Sequence, residues 1–181
     1  MLSENYTLIE LGTIDINPIL EEFHKLPAEA WEINTERQDN KRSAQKQTKF
    51  VPIVYYGENW FEKELHHSMY VAKTAIEKVL GKVEVGRAIF TCLPAGKSIL
   101  PHKDSGSFLE SNTRIHIPLI SNDKVSFGVK ENDEWKYMYL EPGNFYALNN
   151  CKTYHRVHNK SNSDRYHLIV DVKDIKDISL I

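Results

Sequence analysis

Apolar and polar residues follow two different periods along this chain, and the change falls near Val83. Before it, "INPILEEFHKL" carries apolar residues at helical spacing, with Asn17 placed as a cap, Pro18 at the first helical position and two glutamates in the first turn. Each of these marks a helix start. "NWFEKELHHSMYVAKTAIEKVLG" reads as a longer helix, with Asn59 as its cap and Gly81 as its stop. Between the two lies "NTERQDNKRSAQKQTK", the only long stretch without apolar periodicity. It reads as a solvated arm or a loop that orders on binding. Beyond Val83 the period shortens. "RAIFTCL", "TRIHIPLI", "VSFGV", "WKYMYL", "NFYALN", "TYHRV" and "RYHLIVDV" are separated by "PAG", "SND", "END", "EPG" and "NKSNSD". Short strands with polar turns at this spacing predict a sandwich or barrel. Helices first and strands afterwards predict a mainly β, α+β chain whose helices pack on one outer face of a β-core.

A length of 181 residues fits a single domain over 1–181, with an N-terminal helical and polar-arm region at 1–82 and a β-core at 83–173. The formal net charge of -2 offers no field for nucleic acid or an anionic membrane. No apolar run reaches the ~20 residues of a membrane span, and "MLSENYTLIELG" lacks the pattern of a signal peptide. Two cysteines, Cys92 and Cys151, are too few for a disulfide framework. The expectation is a cytoplasmic protein with reduced thiols.

The candidate chemistry starts at "ILPHKDSG". His102 and Asp104 are two apart, so they share one side of an extended segment, and Gly106 lets the chain turn away. A ferrous site that activates oxygen uses two histidines and one carboxylate, with the remaining positions open. His116, His155, His158 and His167 are candidates for the third ligand, and His155 is favoured because it opens the strand "YHRV". A dicarboxylate cosubstrate also needs a guanidinium fork. Arg165 opens "RYHLIVDV", where Arg165, His167 and Ile169 share one face; Arg114 and His116 share a face in "TRIHIPLI". A sheet with an anion-binding polar face and an apolar face against helices accounts for both strands.

The pieces "FTCLPAGKSILPHKD", "RIHIPL", "EPGNFYALNN" and "HRVHNKSNSDRYHLIVDV" resemble, in order and spacing, the aspartyl/asparaginyl β-hydroxylase family, which includes bacterial free-proline hydroxylases. The resemblance implies a double-stranded β-helix (a cupin-like jelly roll) and an Fe(II)- and 2-oxoglutarate-dependent dioxygenase that uses O2. It implies iron ligands His102, Asp104 and His155, and Arg165 on the distal carboxylate of 2-oxoglutarate with Thr91 beside it. It also implies Arg114 and His116 near the metal-side carboxylate. The animal peptide β-hydroxylases carry glycine where this chain has Asp104, which sides it with the bacterial enzymes. "SGSFLESN" is longer here and is a candidate part of a substrate lid.

The substrate implied is an amino acid, free or within a peptide or protein; the oligomeric state is left open. Trp31 and Arg37 flank the polar arm at 32–49 and are candidate substrate contacts, with a packing tryptophan and a solvated arginine as the plainer alternative. Two rivals stand beside this reading: a cupin-like metal-dependent hydrolase or isomerase on the same ligands, and a non-catalytic ligand-binding jelly roll.

Overall fold

Alternation in the second half of the chain builds two antiparallel sheets that face each other. The computed structural model describes residues 6–55, 58–59 and 65–174. In chain order the strands are β1 (Leu8–Thr13), β2 (Lys49–Tyr55), β3 (Glu58–Asn59), β4 (Val83–Leu93), β5 (Ser98–His102), β6 (Thr113–Ile120), β7 (Val125–Glu131), β8 (Glu134–Met138), β9 (Asn144–Leu148), β10 (His155–Asn159) and β11 (Arg165–Asp174). The helices are α1 (Asn17–Phe23), α2 (Glu36–Asp39), α3 (His66–Leu80) and α4 (Ser107–Glu110), with a 3₁₀ turn at Ala28–Glu32. The larger sheet runs β1-β9-β6-β11-β4-β2-β3 and the smaller β5-β10-β7-β8. This is a double-stranded β-helix.

The two faces of the larger sheet have different jobs. Its outer face carries Ala88, Phe90, Ile115, Ile117, Leu168 and Val170, which join Ile19 and Phe23 of α1 and Ala72 and Ile76 of α3 in the main apolar core. Every second residue of β11 therefore serves the helices. The intervening residues, Arg165, His167, Ile169 and Asp171, turn inward. A second core, with Leu93, Phe127, Val129, Leu148 and Val157, fills one end of the space between the sheets. β7 and β8 meet in a two-residue hairpin. Both Asn132 (φ 49°) and Asp133 (φ 66°) sit in the left-handed region there, as the twist of such a hairpin demands. Among the described residues no helix is long and apolar enough to cross a membrane.

Several expectations about the first half change. The cap of α1 is Ile16 rather than Asn17; the side chain of Asp15 takes Asn17 N at 3.0 Å and Asn17 Nδ2 at 2.9 Å, so the polar acceptor lies two residues before Asn17. Helix α3 begins at His66, and Asn59 lies in β3. Residues 60–64 of the expected helix lie outside the described residues. The cap comes from another helix: Glu22 of α1 accepts His67 N at 3.0 Å and Ser68 N at 2.7 Å. The 1–82 region, read as helices and arm, also supplies β1 and β2 to the larger sheet. The polar arm is partly folded. It carries α2, and it docks on β5 through a backbone bond, Leu100 N to Ala44 O at 3.1 Å, and a side-chain one, Ser98 N to Gln47 Oε1 at 3.0 Å. Those bonds satisfy backbone groups along the outer edge of β5, at the border of the smaller sheet.

Candidate active site and metal centre

His102 ends β5 and His155 opens β10, and the antiparallel register pairs them directly. Their rings lie 4.2 Å apart between centroids. Asp104, just past β5, is held by two bonds to Asn150: its N–H donates to Asn150 O at 3.0 Å, and Asn150 Nδ2 donates to its Oδ2 at 3.0 Å. His102 Nε2 is then 3.5 Å from Asp104 Oδ1 and His155 Nε2 is 4.0 Å from Asp104 Oδ2. One ligand atom from each of the three residues falls within 4.8 Å of the others.

The tautomers suit a metal. His102 Nδ1 bonds to Leu100 O at 2.8 Å and His155 Nδ1 to Thr153 O at 3.0 Å. A carbonyl only accepts, so each Nδ1 carries the proton and each Nε2 presents a lone pair. Burial lowers the pKa of His155 to about 4, with His102 adding to the effect, so the ring is neutral at pH 7. Burial pushes the Asp104 carboxyl up, but Arg114, His102, His155 and Asn150 outweigh it and hold the carboxyl well below the usual range. Two imidazole nitrogens and one ionised carboxylate on one side of a cavity fit a ferrous ion with open positions. Gln45 Nε2 lies 3.1 Å from His102 Nε2, on the lone pair that a metal would take.

The inner cleft beside this triad is lined by Arg37, Thr91, Arg114, His116, Phe127, His155 and Arg165, among others. Arg165 is 4% exposed. Its one hydrogen-bond partner among the described residues is His167 Nδ1, at 2.8 Å. Burial lowers its pKa to about 9, which still leaves it charged at neutral pH, without a carboxylate partner. His116 is also buried and both of its nitrogens lack a partner; burial, with Arg114 and Arg165 nearby, holds it neutral. Thr91 stands on the neighbouring strand, opposite His167 in register.

Arg114 is differently placed. It bonds to Asp104 and to Asp171, the latter from Nε at 2.8 Å. Asp171 also takes Arg87 Nε at 2.6 Å and is 1% exposed. One buried carboxylate thus holds two guanidinium groups, one of which also bonds to Asp104. Asp171→Asn is expected to leave both arginines underpaired. Breaking a buried pair costs roughly 3–5 kcal/mol, so the urea midpoint of the variant should fall sharply. An unchanged midpoint would mean that Asp171 is dispensable to the fold.

The other residues singled out from the sequence divide. Arg37 lies at the cleft; its guanidinium sits 4.7 Å over the Phe50 ring and donates to Thr48 Oγ1 at 3.1 Å. Trp31 does not reach the site. It packs edge-on against Phe23 and Tyr166, at 6.0 and 5.5 Å, on the helical side of the larger sheet. His158 faces away and bonds to Ser98 Oγ at 2.9 Å and to Arg156. The "SGSFLESN" segment forms α4, and its Leu109 lines an outer cavity of about 560 Å³. Sequence reasoning missed Asp171, Arg87, Gln45 and Asn150. Only Asp171 carried a signal: it continues the alternation of Arg165, His167 and Ile169.

A family model described as Aspartyl/Asparaginyl beta-hydroxylase matches residues 15–174. Among solved structures, a prolyl hydroxylase from Trichoplax adhaerens, in complex with a hypoxia inducible factor peptide fragment, superposes with a TM-score of 0.66 at 11% identity, covering 95% of this chain and 86% of its own. A Pseudomonas putida prolyl-4-hydroxylase gives 0.62 at 11% identity, covering 94% of each chain. An oxidoreductase of the 2OG-Fe(II) oxygenase family from Burkholderia pseudomallei gives 0.55 at 14% identity, covering 70% of this chain and 66% of its own. At these identities the likeness is one of fold. No curated protein matches the sequence.

Proposed function

The chain belongs to the aspartyl/asparaginyl β-hydroxylase family, and from that premise we propose that it is an Fe(II)- and 2-oxoglutarate-dependent dioxygenase that hydroxylates an amino-acid side chain, free or within a peptide. The observation that carries the reading is a buried, charged Arg165 without a carboxylate partner, lining the same cleft as His102 and His155. A buried cation without a counter-ion is costly, and a dicarboxylate bound in this cleft would remove that cost.

In this reading His102, Asp104 and His155 hold the iron. Bound iron supplies the activation of oxygen, coupled to decarboxylation of 2-oxoglutarate to succinate and carbon dioxide, with transfer of an oxygen atom to the substrate. The protein's share is placement. Arg165, steadied by His167, grips the distal carboxylate with a planar fork. Neutral His116 and the hydroxyl of Thr91 offer hydrogen bonds along the cleft without adding charge. Arg114, anchored by Asp171, keeps Asp104 ionised and correctly turned. Phe127 stacks on the His155 ring, 6.3 Å between centroids, and shields the ligand from water.

The test is succinate formation from 2-oxoglutarate by purified protein, which should require both Fe(II) and oxygen. Turnover of any substrate with zinc in place of iron and under nitrogen would favour a metal-dependent hydrolase or isomerase instead. A screen of amino acids and peptides for stimulated succinate release then identifies the substrate.

A further inference from the structure

The geometry points to a substrate that carries a carboxylate, read by Arg37 at the waist between the inner cleft and the outer cavity. This deepens the dioxygenase reading and rests on it for the position of the reacting centre. Arg37, Gln45, His102 and Arg114 line both spaces. A molecule in the outer cavity therefore meets Arg37 on its way to the metal ligands.

Charge decides what that molecule is. Five arginines line the two spaces; with Arg42 set against Glu36 on the outer cavity, Arg37, Arg87, Arg114 and Arg165 remain. Two buried or nearly buried carboxylates, Asp104 and Asp171, stand among them. Bound Fe(II) and the 2-oxoglutarate dianion offset each other, so the surplus of two positive charges survives loading. Arg87 and Arg114 are each bonded to Asp171, and the distal carboxylate of the cosubstrate falls to Arg165. Arg37 is left. It joins no ion pair among the described residues; its partners are the Thr48 hydroxyl and the Phe50 ring. Burial, with Arg114 and Arg87 close by, lowers its pKa to about 10, so it remains a cation held near other cations. The rim does not correct the imbalance. Glu36 accepts a bond from Tyr55 and is matched across the outer cavity by Arg42, while Lys103 lies over the Tyr154 ring at 4.8 Å.

Arg37 is also preorganised. The contact of its guanidinium carbon with the Phe50 ring and the bond to Thr48 hold the guanidinium in place before any ligand arrives. A fixed fork loses little freedom when it takes a carboxylate. An amide in the same place offers one acceptor and no charge.

The experiment is calorimetric titration of the protein loaded with Fe(II) and 2-oxoglutarate under nitrogen. The probes are matched pairs: free amino acids against their C-terminal amides, and end-capped peptides containing Asp or Glu against the same peptides with Asn or Gln. The acid of at least one pair should bind about 10- to 100-fold more tightly than its amide, the range for a charged hydrogen-bonded contact. Discrimination among free amino acids assigns the α-carboxylate, and discrimination among capped peptides assigns a side chain. Arg37→Gln should erase the difference. Arg37→Lys should keep part of it, and this variant preserves the charge should the glutamine variant fold poorly. Equal binding of acid and amide in every pair, or discrimination that persists in a folded Arg37→Gln, overturns the proposal. Failure of 2-oxoglutarate itself to bind the iron-loaded protein would instead remove the dioxygenase reading, and the matched pairs would still judge Arg37.

Discussion

His102→Ala, Asp104→Ala and His155→Ala are each expected to reduce iron-dependent succinate formation to background and to abolish tight Fe(II) binding, while the chain stays folded. The expectation follows from geometry. The three ligand atoms converge within 4.8 Å, and each backbone bond to an Nδ1 leaves the matching Nε2 to the metal. Losing one of three protein ligands should cost more than losing a residue that merely supports a ligand, for which 10–100-fold is typical. Asn150→Ala, which removes one of the two bonds to Asp104, provides that lesser case. The fold survives because Arg114 keeps Asp171 as a partner when Asp104 is shortened, and because neither histidine belongs to the main apolar core. His158→Ala and His167→Ala should leave iron in place, since the nitrogens of His158 are engaged by Ser98 and Arg156 and Nδ1 of His167 by Arg165. Equilibrium dialysis of Fe(II) under nitrogen, with circular dichroism as the check on folding, decides the matter. Iron retained by His155→Ala but lost by His158→Ala would show the ligand set to be wrong.

Much of the architecture was legible because alternation survives wherever one face of a strand is buried. "TRIHIPLI" and "RYHLIVDV" announced both their apolar face and their polar one, and β6 and β11 lie side by side with those faces aligned. Four strands escaped notice, β1, β2, β3 and β5, and two of them did so for physical reasons visible in their residues. β2 contains Pro52, and a bulge follows it, so the run "KFVPIVY" reads poorly as a strand that lies inside a sheet. β1 is an edge strand with a bulge of its own and buries little. The start of α3 misled because its polar partner is distant. Glu22 caps α3 from 45 residues away, and no local pattern reveals that. The same holds for Asn150 and Gln45, which reach Asp104 and His102 across separations of 46 and 57 residues. Arg37 and Trp31 show the limit of reading by proximity in sequence. Trp31 borders the arm and Arg37 lies near its start, yet Arg37 sits over inward-facing Phe50 while Trp31 packs on Tyr166 at the opposite face of the sheet.

Arg165→Ala is expected to raise the 2-oxoglutarate concentration needed for half-maximal turnover by about two to three orders of magnitude. Removing one partner of a buried, hydrogen-bonded charge pair costs roughly 3–5 kcal/mol, and each ~1.4 kcal/mol is tenfold. Stability should respond in a way that separates an anchor from a structural arginine. Without cosubstrate Arg165 is a buried cation whose only hydrogen bond among the described residues goes to a neutral histidine, and burial already disfavours its charge. Removing it should therefore leave the melting temperature of the cosubstrate-free protein unchanged or slightly higher, less whatever the vacated space costs. The rise in melting temperature that saturating 2-oxoglutarate gives the wild-type, iron-loaded protein under nitrogen should vanish in the variant, because binding to the native state alone produces that rise. Arg165→Lys should recover only part of the affinity, since an ammonium keeps the charge and loses the fork. The contrast with Asp171→Asn is then direct: that variant loses stability with or without cosubstrate, whereas Arg165→Ala loses only what 2-oxoglutarate adds. A half-maximal 2-oxoglutarate concentration in Arg165→Ala equal to that of the wild type would remove Arg165 from the cosubstrate site.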